Sequence, residues 1–217
     1  MSSWLSNVTA HASTSLLEAG LAGALTLAAS WWIFNGASSS GRGTANTAGG
    51  NAWRREQDPL THTFSQHGIT VKLIEYLALA ERYNRNLAVL LIEVERLSDI
   101  EAESGRATAE RVLVQMADAM IEHIRTTDRV GRLDNDRFLL LMPETDVAGA
   151  QVVEERAREY ARRIEIATDR WRKAHVTVVT GAASFRRGED INHLLARAEQ
   201  ALAEAKGANP PADAKAA

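Results

Sequence analysis

Two hydrophobic periods take turns along the chain, and their order sets out the elements. Over residues 65–84, Ile69, Leu73, Tyr76, Leu77 and Leu79 recur at helical spacing. Residues 88–94, Ala-Val-Leu-Leu-Ile-Glu-Val, form an apolar run short enough for a buried strand. Helical spacing returns over 106–124, with Leu113, Met116, Met120, Ile121 and Ile124 on one face. Residues 125–143 then read as a helix end, a short strand, a polar turn and an apolar strand. That is a β-hairpin turning at Asp134-Asn135, since Asn and Asp tolerate the positive φ such turns use. A helix follows over 147–166, then a strand over 175–183. A last helix spans 190–206 with Asp190 as its N-cap. Helix-separated strands around an antiparallel hairpin predict an α/β sandwich: a central mixed sheet with a βαββαβ core, flanked by helices.

Residues 15–35 carry the one long apolar run, with sixteen uncharged residues between Glu18 and Asn35. That is slightly short of the ~20 that span a bilayer comfortably. Glu18 suits a headgroup region, and Trp31-Trp32 suit an interfacial anchor at the other end. No Lys or Arg precedes the run, whereas Arg42, Arg54 and Arg55 follow it. The positive-inside rule therefore places the N-terminus outside and the rest of the chain in the cytoplasm. The absence of a positive n-region argues against a signal peptide. Ala19, Gly20, Gly23 and Ala24 give small-xxx-small spacings suited to helix pairing. The expected organisation is a short segment 1–14, a transmembrane helix 15–35, a Gly/Ser/Thr-rich tether 36–52, a folded domain 53–206 and a disordered tail 207–217.

Composition narrows the chemistry. The net charge of −3 argues against a nucleic-acid polymer as partner. With no cysteine, disulfides and thiolate metal sites are excluded. The six histidines show no metal-ligand spacing, so no metal is assigned to them.

The hairpin at 125–143 resembles the signature hairpin of GGDEF domains, the diguanylate cyclases that join two GTP into cyclic di-GMP. The family's Gly-Gly-Asp/Glu-Glu-Phe falls on Asp134, Asn135, Asp136, Arg137 and Phe138. Three further matches keep order and distance. Asp58-Pro-Leu-Thr resembles the family's opening D-x-L-T, although Ser65 and Gln66 stand where Asn and Arg are expected. Residues 176–183 resemble its late strand, and Arg197 to Lys206 its closing helix. The resemblance implies a carboxylate pair for Mg²⁺ at Glu93 and Asp136, and guanine-reading positions at Glu101 and Glu110. Only Lys206, at a phosphate-contacting position, keeps the family residue. Side-chain bulk at the turn and the reversed charge at Arg137 lead to the expectation of no catalytic residue, no cofactor and no enzyme activity, with Glu93 and Asp136 as vestiges of a metal site.

The resemblance also implies a product-binding R-x-x-D site. The chain carries that spacing three times, at Arg96–Asp99, Arg125–Asp128 and Arg187–Asp190. An i, i+3 surface pair explains any of them equally well. Only Arg125–Asp128 stands five residues before the hairpin turn, as in the family. Arg offers a planar fork to guanine O6 and N7, and Asp accepts from its N1–H and N2–H₂ edge. Arg156 matches the family's second arginine, and Arg129 and Arg158 are candidates for the phosphates. The expected protein is a cyclic di-GMP receptor anchored in a bacterial inner membrane. It would act on a protein partner in a membrane process such as exopolysaccharide secretion or motility, and a ligand-bridged homodimer is compatible with the site. The competing expectation is a membrane-tethered scaffold that uses the fold without nucleotide.

Overall fold

The computed structural model describes residues 56–167 and 173–208. The expected segments 1–14, 15–35 and 36–52 lie outside the described residues, as does the tail beyond 208. Among the described residues no helix is long and apolar enough to cross a membrane.

The first helix, α1 (Gln66–Tyr83), starts at Ser65, whose Oγ accepts from the Gly68 amide at 3.1 Å. It stops at Asn84, which adopts the left-handed conformation (φ 51°, ψ 50°) that Asn bears better than most residues. Then come β1 (Leu87–Val94), α2 (Leu97–Ser104), α3 (Arg106–His123), β2 (Arg129–Arg132) and β3 (Arg137–Pro143). After these come α4 (Val147–Arg163), β4 (Glu165–Ala167), β5 (Lys173–His175), β6 (Val178–Ser184) and α5 (Ile191–Ala208).

Four strands form the main sheet in the order β2-β3-β1-β6, and all three pairings are antiparallel. The expected mixed sheet is corrected here. In a split βαβ unit the two parallel strands are not neighbours. Strand β3 inserts between β1 and β2, and β1 inserts between β3 and β6, so every ladder is antiparallel. Strands β4 and β5 make a separate hairpin, which ends α4 at Arg163 and splits the strand expected over 175–183. Helix α2 was not expected, because of its residues only Leu97 is buried and the rest give a weak apolar signal. Helix α5 continues through Gly207 and Ala208, two residues into the expected tail.

The sheet is covered on both faces, which explains why β1 reads as a continuous apolar run. One face carries Ala88, Leu90, Ile92, Phe138, Leu140 and Met142 against Val112, Met116 and Met120 of α3 and Ala157 and Ala161 of α4. Ile121 departs from the expected α3 face and is 46% exposed. By alternation, Val89, Leu91, Leu139 and Leu141 point the other way, towards α1 and α5.

Two glycines make that second layer close. A Cβ on Gly131 would lie 2.5 Å from Ile69 Cβ of α1. On Gly181 it would meet the Ala198 carbonyl oxygen at 2.3 Å and the Leu202 amide nitrogen at 2.4 Å. Backbone cannot retreat as a side-chain tip can, so Gly181→Ala is expected to destabilise by about 3 kcal/mol in urea unfolding. Gly207→Ala, with nothing within 4 Å of the added carbon, is expected to stabilise by about 0.5 kcal/mol through helix propensity.

Candidate functional site

Helix α3 ends at His123, and the next residues form the turn that leads into β2. Asp128 closes this turn: its Oδ2 accepts from the Arg125 amide at 3.0 Å, while its own amide donates to the Arg125 carbonyl at 3.0 Å. Thr127 presents its carbonyl to the Tyr76 hydroxyl of α1 at 3.0 Å, tying the turn to the far layer. With its carboxylate accepting an amide, Asp128 is only 6% exposed. Burial raises its pKa above the ordinary carboxylate value, against the lowering effect of the Arg125 amide and guanidinium.

A cavity of about 220 Å³ opens beside the turn, between the end of α3 and one face of α4. Its floor is apolar, formed by Ile92, Met120, Leu140 and Val153, and its rim carries Arg125, Asp128 and Arg156. The structure therefore brings these three sequence-predicted residues to one cavity. Among the described residues, neither the Arg125 nor the Arg156 guanidinium has a hydrogen-bond or ion-pair partner. Two such cations beside a buried carboxylate at the cavity rim suit a polar, planar and anionic ligand.

The other two candidates are placed elsewhere. Arg129 donates through Nη1 to the Thr126 carbonyl at 2.7 Å and the Asp128 carbonyl at 2.6 Å, bracing the turn from outside. Arg158 is held by Glu154 at 2.7 Å and Glu155 at 3.2 Å. It lines a separate cavity with Arg162, Thr177 and Thr180. The i, i+2 spacing from Arg156 turns it to another side of α4.

The rim of the first cavity also holds a feature that sequence spacing did not reveal. The His123 and Tyr160 rings stack with centroids 4.1 Å apart and planes 18° apart. The two residues lie on different helices, far apart in sequence, so no local pattern pairs them.

At the other end of the sheet, residues 134–136 form the hairpin loop, closed by the Leu133 amide donating to the Arg137 carbonyl at 2.9 Å. Neither Asp134 nor Asn135 has positive φ, contrary to expectation. Arg132 supplies the reason: its Nε and Nη2 donate to the Asp134 and Asn135 carbonyls, each at 2.9 Å, holding a three-residue loop without left-handed backbone. Glu93, paired with Arg137 in the ladder, accepts from Arg137 Nε at 2.8 Å and meets Lys206 Nζ at 2.5 Å. Arg137 also reaches Glu199 at 3.2 Å. Both Glu93 oxygens are thus engaged by cations, and no group of three metal-ligating side chains occurs among the described residues. Glu93 would hold a Mg²⁺ beside Asp136 only once Arg137 and Lys206 release its carboxylate.

Burial, then the neighbouring Asp136 carboxylate, pushes the Asp134 carboxyl up to about 6. The fold therefore favours the protonated form. This contribution is fully present below about pH 4 and is lost as pH rises through about 6. Asp134→Asn is expected to match the parent near pH 4 and to exceed its stability by about 1–2 kcal/mol above pH 7, as read from urea midpoints across pH.

The family model described as "Diguanylate cyclase, GGDEF domain" matches residues 55–210. Diguanylate cyclase DosC of Escherichia coli (strain K12) is 25% identical over 149 residues, covering 69% of this chain and 32% of that protein. The chain thus spans about a third of the length of that relative. The structure of diguanylate cyclase SiaD from Pseudomonas aeruginosa, in complex with its activator SiaC, superposes with a TM-score of 0.68 at 22% identity. That match covers 94% of this chain and 74% of SiaD. The GGDEF domain of DgcB from Caulobacter crescentus, in complex with c-di-GMP, superposes with a TM-score of 0.66 at 17% identity, covering 78% of this chain and 94% of that one.

These findings correct the expectation that the protein is not an enzyme. The matching family is that of diguanylate cyclases, and the curated relative is named for that activity. The physical reason is that the expectation rested on side chains at the turn, whereas the hairpin backbone that presents them is fully formed and in register. From the N-terminal side of α1 to the end of α5, the chain belongs to the GGDEF-domain family.

Proposed function

We propose that this GGDEF domain is a receptor for cyclic di-GMP, bound at the cavity rimmed by Arg125, Asp128 and Arg156. The observation that carries the reading is the pair of guanidiniums without a partner among the described residues, set beside a buried carboxylate over an apolar floor. Arg125 extends from the turn and offers its fork to guanine O6 and N7. Asp128, with one oxygen engaged by the Arg125 amide, keeps acceptor capacity for the N1–H and N2–H₂ edge. Arg156 supplies positive charge for a phosphate. The complex of the DgcB GGDEF domain with c-di-GMP supports the same ligand class. Residues 15–35 would hold the domain on the cytoplasmic side of a bacterial inner membrane. Ligand binding there would change contacts with a second copy or with a protein partner, as SiaD is captured with its activator. Exopolysaccharide secretion and motility are the outputs we associate with such a receptor.

The test is calorimetric titration of the full chain with cyclic di-GMP. Arg125→Ala and Arg156→Ala are each expected to weaken binding about 10- to 100-fold, the scale of a lost charge-assisted contact. Arg158→Ala, at the separate cavity, is expected to stay within about twofold. Equal binding by the parent and both rim variants would remove the assignment to this cavity, and no binding by a folded parent would remove the proposal and leave the tethered scaffold.

The family and the name of DosC favour a second reading, formation of cyclic di-GMP from GTP. Incubating the full chain with GTP and Mg²⁺ decides it: product that disappears in Asp136→Ala supports this reading, and no product rejects it.

A further inference from the structure

The cavity is too small for a whole cyclic dinucleotide. At about 220 Å³ it lies below the ~300 Å³ at which pockets begin to enclose drug-sized ligands. One flat base can enter, with the sugar–phosphate ring left outside among the rim cations. Along the same rim runs an aromatic wall. Tyr160 lies four residues after Arg156 on α4, so the two side chains share a helix face. His123 is the last residue of α3, two before Arg125. Their rings are stacked, and each lines the cavity. The contact with Tyr160 is the only interaction of the exposed His123 ring among the described residues, so no hydrogen bond fixes it. Tyr160 is further flanked by the Arg163 guanidinium, 5.7 Å from its ring centre.

We infer that the His123–Tyr160 pair is a base-stacking element, receiving one guanine of the ligand on its aromatic surface while Arg125 and Asp128 read the base edge. This rests on the assignment of the cavity to cyclic di-GMP and adds to it the residues that hold the base plane. Stacking supplies affinity with little regard to which base is present, because every base has a π-face. Edge recognition by Arg125 and Asp128 then supplies the choice of guanine. The division of labour accounts for an aromatic pair at the mouth of a cavity whose floor is aliphatic.

The test uses the full chain with three substitutions at the wall. Tyr160→Leu keeps apolar bulk and removes the π-face; it is expected to weaken cyclic di-GMP binding about 5- to 100-fold. Tyr160→Phe keeps the face and is expected to bind within about twofold of the parent. His123→Ala is expected to weaken binding at least as far, since Arg163 lies over the Tyr160 ring and the open face of the pair is that of His123. A Tyr160→Leu protein that binds as the parent does, while Arg125→Ala does not, overturns the stacking inference and leaves the cavity assignment standing. Should the parent itself fail to bind cyclic di-GMP, a millimolar titration with GMP followed by proton NMR separates the two claims. An upfield shift of guanine H8 that Tyr160→Leu abolishes then supports stacking without the dinucleotide, and no shift overturns it.

Discussion

Strands β1 and β3, buried on both faces, impose the constraint on which the remaining structure depends. Their register pairs Ile92 with Phe138 and Leu90 with Leu140, and a slip of one residue would turn every one of these side chains to the opposite layer. Because α3 and α4 cover one face and α1 and α5 the other, such a slip would misplace two cores at once. The same register sets both candidate sites. Ile92 and Leu140 become the floor of the cavity beneath Arg125 and Arg156. One step along, Glu93 faces Arg137 and the two meet in an ion pair at the hairpin end.

The turn between α3 and β2 shows how one residue can serve fold and site together. Asp128 satisfies the Arg125 amide just beyond the end of α3, where no helical carbonyl is in reach. This holds the chain in a tight reversal and keeps the carboxylate against the cavity. Arg129 fastens the same turn from the other side through two carbonyls. Among the described residues, by contrast, the guanidiniums of Arg125 and Arg156 have no hydrogen-bond or ion-pair partner, unlike Arg158, which is held by Glu154 and Glu155 on its own helix. What distinguishes Arg156 on this Arg- and Glu-rich helix is its place on the cavity beside Arg125 and Asp128.

At the opposite end, charge is compensated internally. Arg137 bridges Glu93 and Glu199, and Lys206 reaches Glu93 from α5, so three elements are fastened around one carboxylate. Asp134 and Asp136 share a short loop, and their proximity together with burial keeps a proton on Asp134 into the mildly acidic range. The loop nevertheless needs no left-handed residue, because Arg132 binds its carbonyls.

The sequence by itself was enough for the order of the long elements, because each buries a wide apolar stripe and periodicity records burial. The family resemblance offered Arg125, Asp128 and Arg156 as candidates for one site, and the packed structure brings the three to a single cavity. Short or sparsely buried elements escaped periodicity: α2 buries a single residue, and the β4–β5 hairpin interrupts a run that reads as one strand. Tertiary structure alone decided that all sheet pairings are antiparallel, since insertion of one strand between two others leaves no local trace. It alone separated Arg158 from Arg156, and set His123 against Tyr160 across two helices. Hydrophobic periodicity reports how each element faces the core; which polar side chains meet across elements depends on register and helix rotation, which only the packed sheet determines.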